Sequence, residues 1–156
     1  MVNHSTHDLA NAEATLNLGL SLAVNLAHPM NLYLRGELGS GKTTLVRGLL
    51  RGLGVIGAIK SPTYALLETY QVSHPVVSNI YHFDLYRLRD ENEWHSLGFV
   101  DYFCPQNLCL VEWADRASNI LPSADLNITL SIWGLGRRAV LSAHNDIGQQ
   151  LMQALV

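Results

Sequence analysis

The segment Leu34–Gly48 reads LRGELGSGKTTLVRG and holds four glycines within the thirteen positions that start at Gly36. Glycine is a poor choice inside a helix or strand, so these positions mark a backbone that must turn tightly or admit something close to it. The string Gly36-Glu37-Leu38-Gly39-Ser40-Gly41-Lys42-Thr43 fits GxxxxGK(S/T), the P-loop pattern in which main-chain N–H groups wrap a phosphate chain. That pattern has its meaning only between a strand and a helix. Asn31–Arg35 (NLYLR) predicts the strand and Thr43–Leu53 the helix, with Gly54 as its C-terminal stop. The helix then points its positive end at the anion, and the amides of Glu37, Leu38, Gly39, Ser40 and Gly41 can close around it. Lys42 reaches the β- and γ-phosphates, the Thr43 hydroxyl can ligate Mg2+, and Thr44 adds a phosphate contact. A dinucleotide-binding GxGxxG fails, because Gly39-Ser40-Gly41 is followed by Lys42-Thr43-Thr44 with no third glycine.

The rest of the chain supplies a framework for such a loop. Asp8 or Asn11 can cap a helix over DLANAEATLNLGLSLAVNLA, with apolar residues at Leu16, Leu20, Ala23 and Ala27, ended by His28-Pro29. Tyr64–Tyr70 and Asn79–Phe83 read as strands separated by a turn at Ser73-His74-Pro75. Glu91–Leu97 reads as a short helix closed by Gly98. Leu108–Val111 is a continuous apolar run, the signature of a strand buried on both faces. Asp125–Trp133 and Arg137–Ala143 form a predicted hairpin around Gly134-Leu135-Gly136, and the last dozen residues read as helix. The expectation is an α/β fold of the P-loop NTPase kind, a three-layer sandwich. Its mixed, mainly parallel sheet carries an antiparallel hairpin near the C-terminus. One domain spanning residues 1–156 accommodates all of it.

A P-loop needs an acid on the metal side. Glu112 follows the apolar run at the end of its strand, the edge where parallel sheets place ligands, so it is the candidate to hold Mg2+ directly or through water. Trp113 beside it reads as packing. Ser61-Pro62-Thr63-Tyr64 places a hydroxyl, that of Thr63, where a γ-phosphate sensor would stand, or else marks a plain turn before a strand. His82-Phe83-Asp84-Leu85-Tyr86-Arg87 ends a strand in a carboxylate. Asp84 can orient an attacking water, hold Mg2+ through water, or merely cap the strand end. Arg87 is expected in a structural ion pair.

Composition narrows the function classes. The 156 residues are 48% hydrophobic and 15% charged, with a net charge of −3, which does not suit a chain built to coat nucleic acid. Eight of the ten basic residues are arginine, and the lysines are Lys42 and Lys60. No apolar run reaches the roughly 18 residues of a membrane span. The first residues, with His4 and His7, lack the pattern of a signal peptide and are expected to fray. Cys104 and Cys109 have no zinc-site spacing and read as ordinary thiols, so the cytoplasm is the expected compartment.

Six stretches in this order resemble the TsaE family, bacterial ATPases of tRNA threonylcarbamoyladenosine formation. They are TLNLGLSLA (Thr15–Ala23), GELGSGKTTLVRG (Gly36–Gly48), KSPTYALLETY (Lys60–Tyr70), YHFDLYRL (Tyr81–Leu88), LGFVDYF (Leu97–Phe103) and LCLVEWAD (Leu108–Asp115). The resemblance implies a Mg2+-dependent ATPase, weak alone, that acts with the partner proteins TsaD and TsaB. Together they modify the adenosine next to the anticodon in tRNAs reading ANN codons, and tRNA is met indirectly through the complex. By motif, Lys42, Thr63, Asp84 and Glu112 become catalytic positions, Thr43 and Glu112 the Mg2+ ligands, and Thr15 and Arg137 neighbours of the base. Ala114 stands where the family usually has proline or glycine.

Two rivals share the P-loop. A small-molecule kinase would show an arginine-rich lid, and Arg87, Arg89 and Arg116 are too dispersed to make one evident. A nucleotide-gated assembly protein would need binding without turnover, against which stands the full set Lys42, Thr43, Asp84 and Glu112. A guanine-specific switch is not expected, since neither NKxD nor DxxG occurs.

Overall fold

The computed structural model describes residues 3–155. All seven strands belong to one sheet. In chain order they are β1 (Asn3–Leu9), β2 (Asn31–Arg35), β3 (Leu67–Gln71), β4 (Asn79–Asp84), β5 (Leu108–Glu112), β6 (Leu126–Trp133) and β7 (Gly136–Ala143). Their spatial order is β1-β7-β6-β2-β5-β4-β3. The four central strands, β6, β2, β5 and β4, are mutually parallel. The strands β3 and β7 run against them, and β1, antiparallel to β7, returns to the main direction. The C-terminal hairpin is β6–β7, as expected.

Alternation along the central strands divides the core into two. Leu32, Leu34, Ile80, Leu108 and Leu110 face helices α1 (Ala12–Asn25), α2 (Lys42–Gly52) and α4 (Asp146–Ala154). Tyr33, Phe83, Cys109 and Val111 face the other way, onto Trp94 of α3 (Glu91–Ser96) and the 3-10 turn Phe99–Tyr102. The result is three layers. Every residue of β5 is buried, as a strand covered on both faces requires. Cys104 and Cys109 are free thiols, and burial pushes Cys109 up to about 12.

Three sequence expectations fail in instructive ways. Residues Asn3–Leu9 do not fray; they pair with β7 along their whole length, from Asn3 opposite Ala143 to Leu9 opposite Arg137. Polar NHSTHDL suits an edge strand with its outward positions in water. The strand expected from Tyr64 begins at Leu67, because Pro62 to Leu66 forms a turn closed by the Leu66 amide on the Pro62 carbonyl. In α1 the buried positions are Thr15, Leu18, Gly19, Leu22 and Ala23, while Leu20 is partly exposed. The inward stripe is therefore rotated from Leu16-Leu20-Ala23-Ala27.

The rotation has a packing cause. A Cβ on Gly48 would overlap the Leu16 carbonyl oxygen, and one on Gly19 would overlap that of Leu45. The backbones of α1 and α2 thus touch at reciprocal glycines, and that contact fixes which face of α1 turns inward. Gly48→Ala is expected to destabilise the chain by about 1 to 3 kcal/mol, read as a lowered urea midpoint at unchanged slope.

Candidate active site

The P-loop lies where the sequence places it, between β2 and α2. Gly36, Gly39 and Gly41 have φ of 143°, 78° and 104°, in the region that a side chain resists. Gly41 is the residue before α2, whose first residue is Lys42. The free amides at this helix start face a cleft of about 520 Å³. Leu38, Gly39, Ser40, Gly41, Lys42, Thr43 and Thr44 line it from one side. Thr15, Thr63, Asp84, Glu112 and Arg137 line the remainder. Glu37 alone among the sequence candidates does not; it contributes its carbonyl to the loop's interior.

Strand register delivers the acids. β4 and β5 pair in parallel with Asp84 opposite Glu112, and β5 pairs with β2 with Glu112 opposite Leu34. Both carboxylates therefore stand side by side at the C-terminal edge of the sheet, next to the start of the P-loop. Glu112 is only 2% exposed, and its two oxygens are used differently. Oε1 accepts the Thr43 hydroxyl at 3.0 Å, and Oε2 meets Nε2 of His82 at 2.6 Å.

Asp84 accepts the Tyr86 amide at 3.0 Å and, more loosely, the Thr63 hydroxyl at 3.4 Å. Burial pushes its carboxyl above the ordinary aspartate value of 3.8, opposed by the Tyr86 hydrogen bond and assisted by the Glu112 charge. The Thr63 hydroxyl is also 2.7 Å from that of Ser61. Lys42 is 5% exposed and folds back on its own loop, donating to the carbonyls of Gly36 at 2.5 Å and Glu37 at 3.0 Å. Burial lowers its ammonium, while Glu112, Asp84 and Asp115 pull the other way.

Several features were not legible as function. The Trp113 ring, read as packing, lies with its face 4.4 Å from the Lys42 ammonium. Its backbone is left-handed at φ 59°, and it leads into the 3-10 turn Ala114–Ala117, so the chain turns here with alanine at 114. Asn11 serves as the α1 cap through the Ala14 amide and also lines the cleft. Leu135 and Gly136 line it from the hairpin turn. His82 lies two residues before Asp84, a spacing that puts both on one strand face, and this was the signal available for it. Among the described residues Arg87 pairs with no carboxylate; it lies over the exposed Tyr64 ring at 4.4 Å. Arg137 donates Nε and Nη2 to the Gly39 carbonyl at 3.1 and 2.8 Å, which ties the hairpin to the P-loop.

The family model for threonylcarbamoyl adenosine biosynthesis protein TsaE matches residues 9–139. The chain belongs to the TsaE family. The family match spans every cleft element from Asn11 to Arg137. The chain is 43% identical over 123 residues to the tRNA threonylcarbamoyladenosine biosynthesis protein TsaE of Haemophilus influenzae, covering 79% of this chain and 76% of that one. To the Treponema pallidum protein of the same name it is 32% identical over 132 residues, covering 85% and 95%. The crystal structure of Bacillus subtilis YdiB superposes with a TM-score of 0.81 at 28% identity, over 99% of this chain and 95% of that one.

Among the described residues no cluster of three His, Cys, Asp or Glu side chains could hold a metal alone. Thr43 and Glu112 nevertheless offer two hard oxygens 3.0 Å apart at the P-loop, which fits Mg2+ sharing its coordination with phosphate oxygens and water. The raised Asp84 carboxyl makes the metal-free protein's stability fall as pH rises from 3.8 through its higher folded value, since the folded state there binds the extra proton. Asp84→Asn lacks that penalty. Thermal unfolding at a series of pH values is expected to show the variant gaining on the parent through that window and holding its gain at neutral pH.

Proposed function

We propose that the chain is a Mg2+-dependent ATPase that converts ATP to ADP and phosphate in the service of tRNA threonylcarbamoyladenosine formation. The observation that carries this reading is the meeting, in one cleft, of a strand–loop–helix phosphate cradle with two carboxylates brought level by strand register. Amides at the start of α2 bind the phosphate chain, and Lys42 leaves the Gly36 and Glu37 carbonyls for the β- and γ-phosphates. Thr43 and Glu112 hold Mg2+, which when bound neutralises charge developing on the phosphate oxygens. Asp84 is the acceptor that orients the attacking water, with Thr63 beside it. Thr15 and Arg137, which line the same cleft, would border the nucleoside.

The reading extends to partners. Thr63 meets Asp84 only at the limit of hydrogen-bond distance, and the P-loop cleft contains no arginine besides Arg137, which is engaged with Gly39. Phosphoryl transfer depends on positioning and electrostatics, so this arrangement supports a weak ATPase that TsaD and TsaB complete by ordering Thr63 and Asp84 or by supplying charge. In this scheme tRNA is contacted by the complex, and the chain works in the cytoplasm. No helix among the described residues is long and apolar enough to cross a membrane.

The test is release of orthophosphate from ATP, with and without TsaD and TsaB. Lys42→Ala, Asp84→Ala and Glu112→Ala are each expected to lose turnover by about a hundredfold or more. Asp84→Ala is expected to keep most of its nucleotide affinity. Normal hydrolysis by that variant would refute its role, and equal rates with and without the partners would refute theirs.

A further inference from the structure

His82 is fully buried, and among the described residues its only side-chain hydrogen bond is the one from Nε2 to Glu112. Nδ1 has no partner among the described residues. A carboxylate can only accept, so Nε2 carries the proton and points it at Oε2 of Glu112. This is an expensive place for a histidine whose task is packing: a leucine or valine on β4 would fill the same inward site with no polar atom left over.

We propose that His82 is a positioning residue for the divalent cation, a role that rests on the Mg2+-ATPase reading. Glu112 projects from the last residue of β5, and its carboxylate is free to rotate about its terminal torsion unless something fixes it. Two donors fix it. His82 captures Oε2 from the sheet side, and Thr43 meets Oε1 from the helix side. With Oε2 occupied, Oε1 is the oxygen turned to the cleft, next to the Thr43 hydroxyl that would share the same cation. Without the imidazole, the carboxylate is free to turn Oε1 away from the Thr43 hydroxyl, which removes a metal ligand and leaves the phosphate cradle as it is. Partners behind a metal ligand typically matter by about 10- to 100-fold in metal affinity.

The test measures binding rather than turnover. Calorimetry gives the dissociation constant of a non-hydrolysable ATP analogue, once with Mg2+ and once in EDTA. Three variants are compared with the parent: His82→Leu, which keeps volume without a donor; His82→Gln, whose amide nitrogen stands where Nε2 stood; and His82→Asn, whose amide is too short to reach. The parent and His82→Gln are expected to bind more tightly with Mg2+, while His82→Leu and His82→Asn lose about tenfold or more of that enhancement and keep their EDTA affinity. Full Mg2+ enhancement in His82→Leu, or an equal loss with and without Mg2+, would overturn the proposal. Should the leucine chain not fold, the glutamine and asparagine variants decide, and equal Mg2+ dependence in those two overturns it. A parent chain that binds no nucleotide under either condition would bring down the ATPase reading, and the proposal with it.

Discussion

The structure depends on the in-register parallel pairing of β2, β5 and β4. Because Leu34, Glu112 and Asp84 stand level, the P-loop leaves the sheet next to both carboxylates. A slip by one residue would turn Asp84 or Glu112 to the opposite face, among Trp94, Phe99 and the aromatic core. The alternation that keeps Leu32, Leu34, Ile80 and Leu110 against the helices therefore also keeps the acids on the P-loop side. Apolar burial on both faces of β5 enforces the register, so the core and the site are specified by the same constraint.

That placement brings two like charges together in a low-dielectric setting, and the site is arranged around the consequence. Glu112 is the more buried and has two hydrogen-bond donors; Asp84 has the Tyr86 amide and a long contact to Thr63, and its carboxyl is pushed up. Two neighbouring carboxylates thus acquire different environments, which suits one to hold a cation and the other to accept a proton. Lys42 completes the balance from across the cleft. Its bonds to Gly36 and Glu37, together with the Trp113 face, keep a buried ammonium satisfied and hold the loop in the shape that its amides need.

Elements whose local chemistry and tertiary role agree were legible in the sequence. Asn31–Arg35 and the apolar run ending at Glu112 read correctly, because burial on both faces leaves little ambiguity. The glycine string read correctly because its backbone requirements are local. The first helix was misread because leucines occur at 16, 18, 20 and 22, which offers more than one inward stripe. The choice is made by Gly19 and Gly48 meeting across the α1–α2 contact, a fact no window of sequence contains. The first strand was missed because its residues are polar, and its partner lies more than 120 residues away. His82 was quoted in its motif yet given no role, since only the pairing of β4 with β5 brings it to Glu112.

The missed strand bears on the site itself. β1 lies along β7, with Leu9 opposite Arg137, and runs through Ala10 into the Asn11 cap of α1. Gly136 accepts this approach because any Cβ there would strike the Leu9 carbonyl. The far wall of the cleft, Asn11, Ala12 and Thr15 on one chain segment and Leu135, Gly136 and Arg137 on another, is thereby stitched together before a ligand arrives. The two hydrogen bonds from Arg137 to the Gly39 carbonyl then fasten that wall to the P-loop. A half-exposed edge strand thus sets the distance between the P-loop and the far wall of the cleft. Edge strands usually tolerate change, but loosening this one would act on the site through Arg137 while leaving both acids and the P-loop chemistry intact.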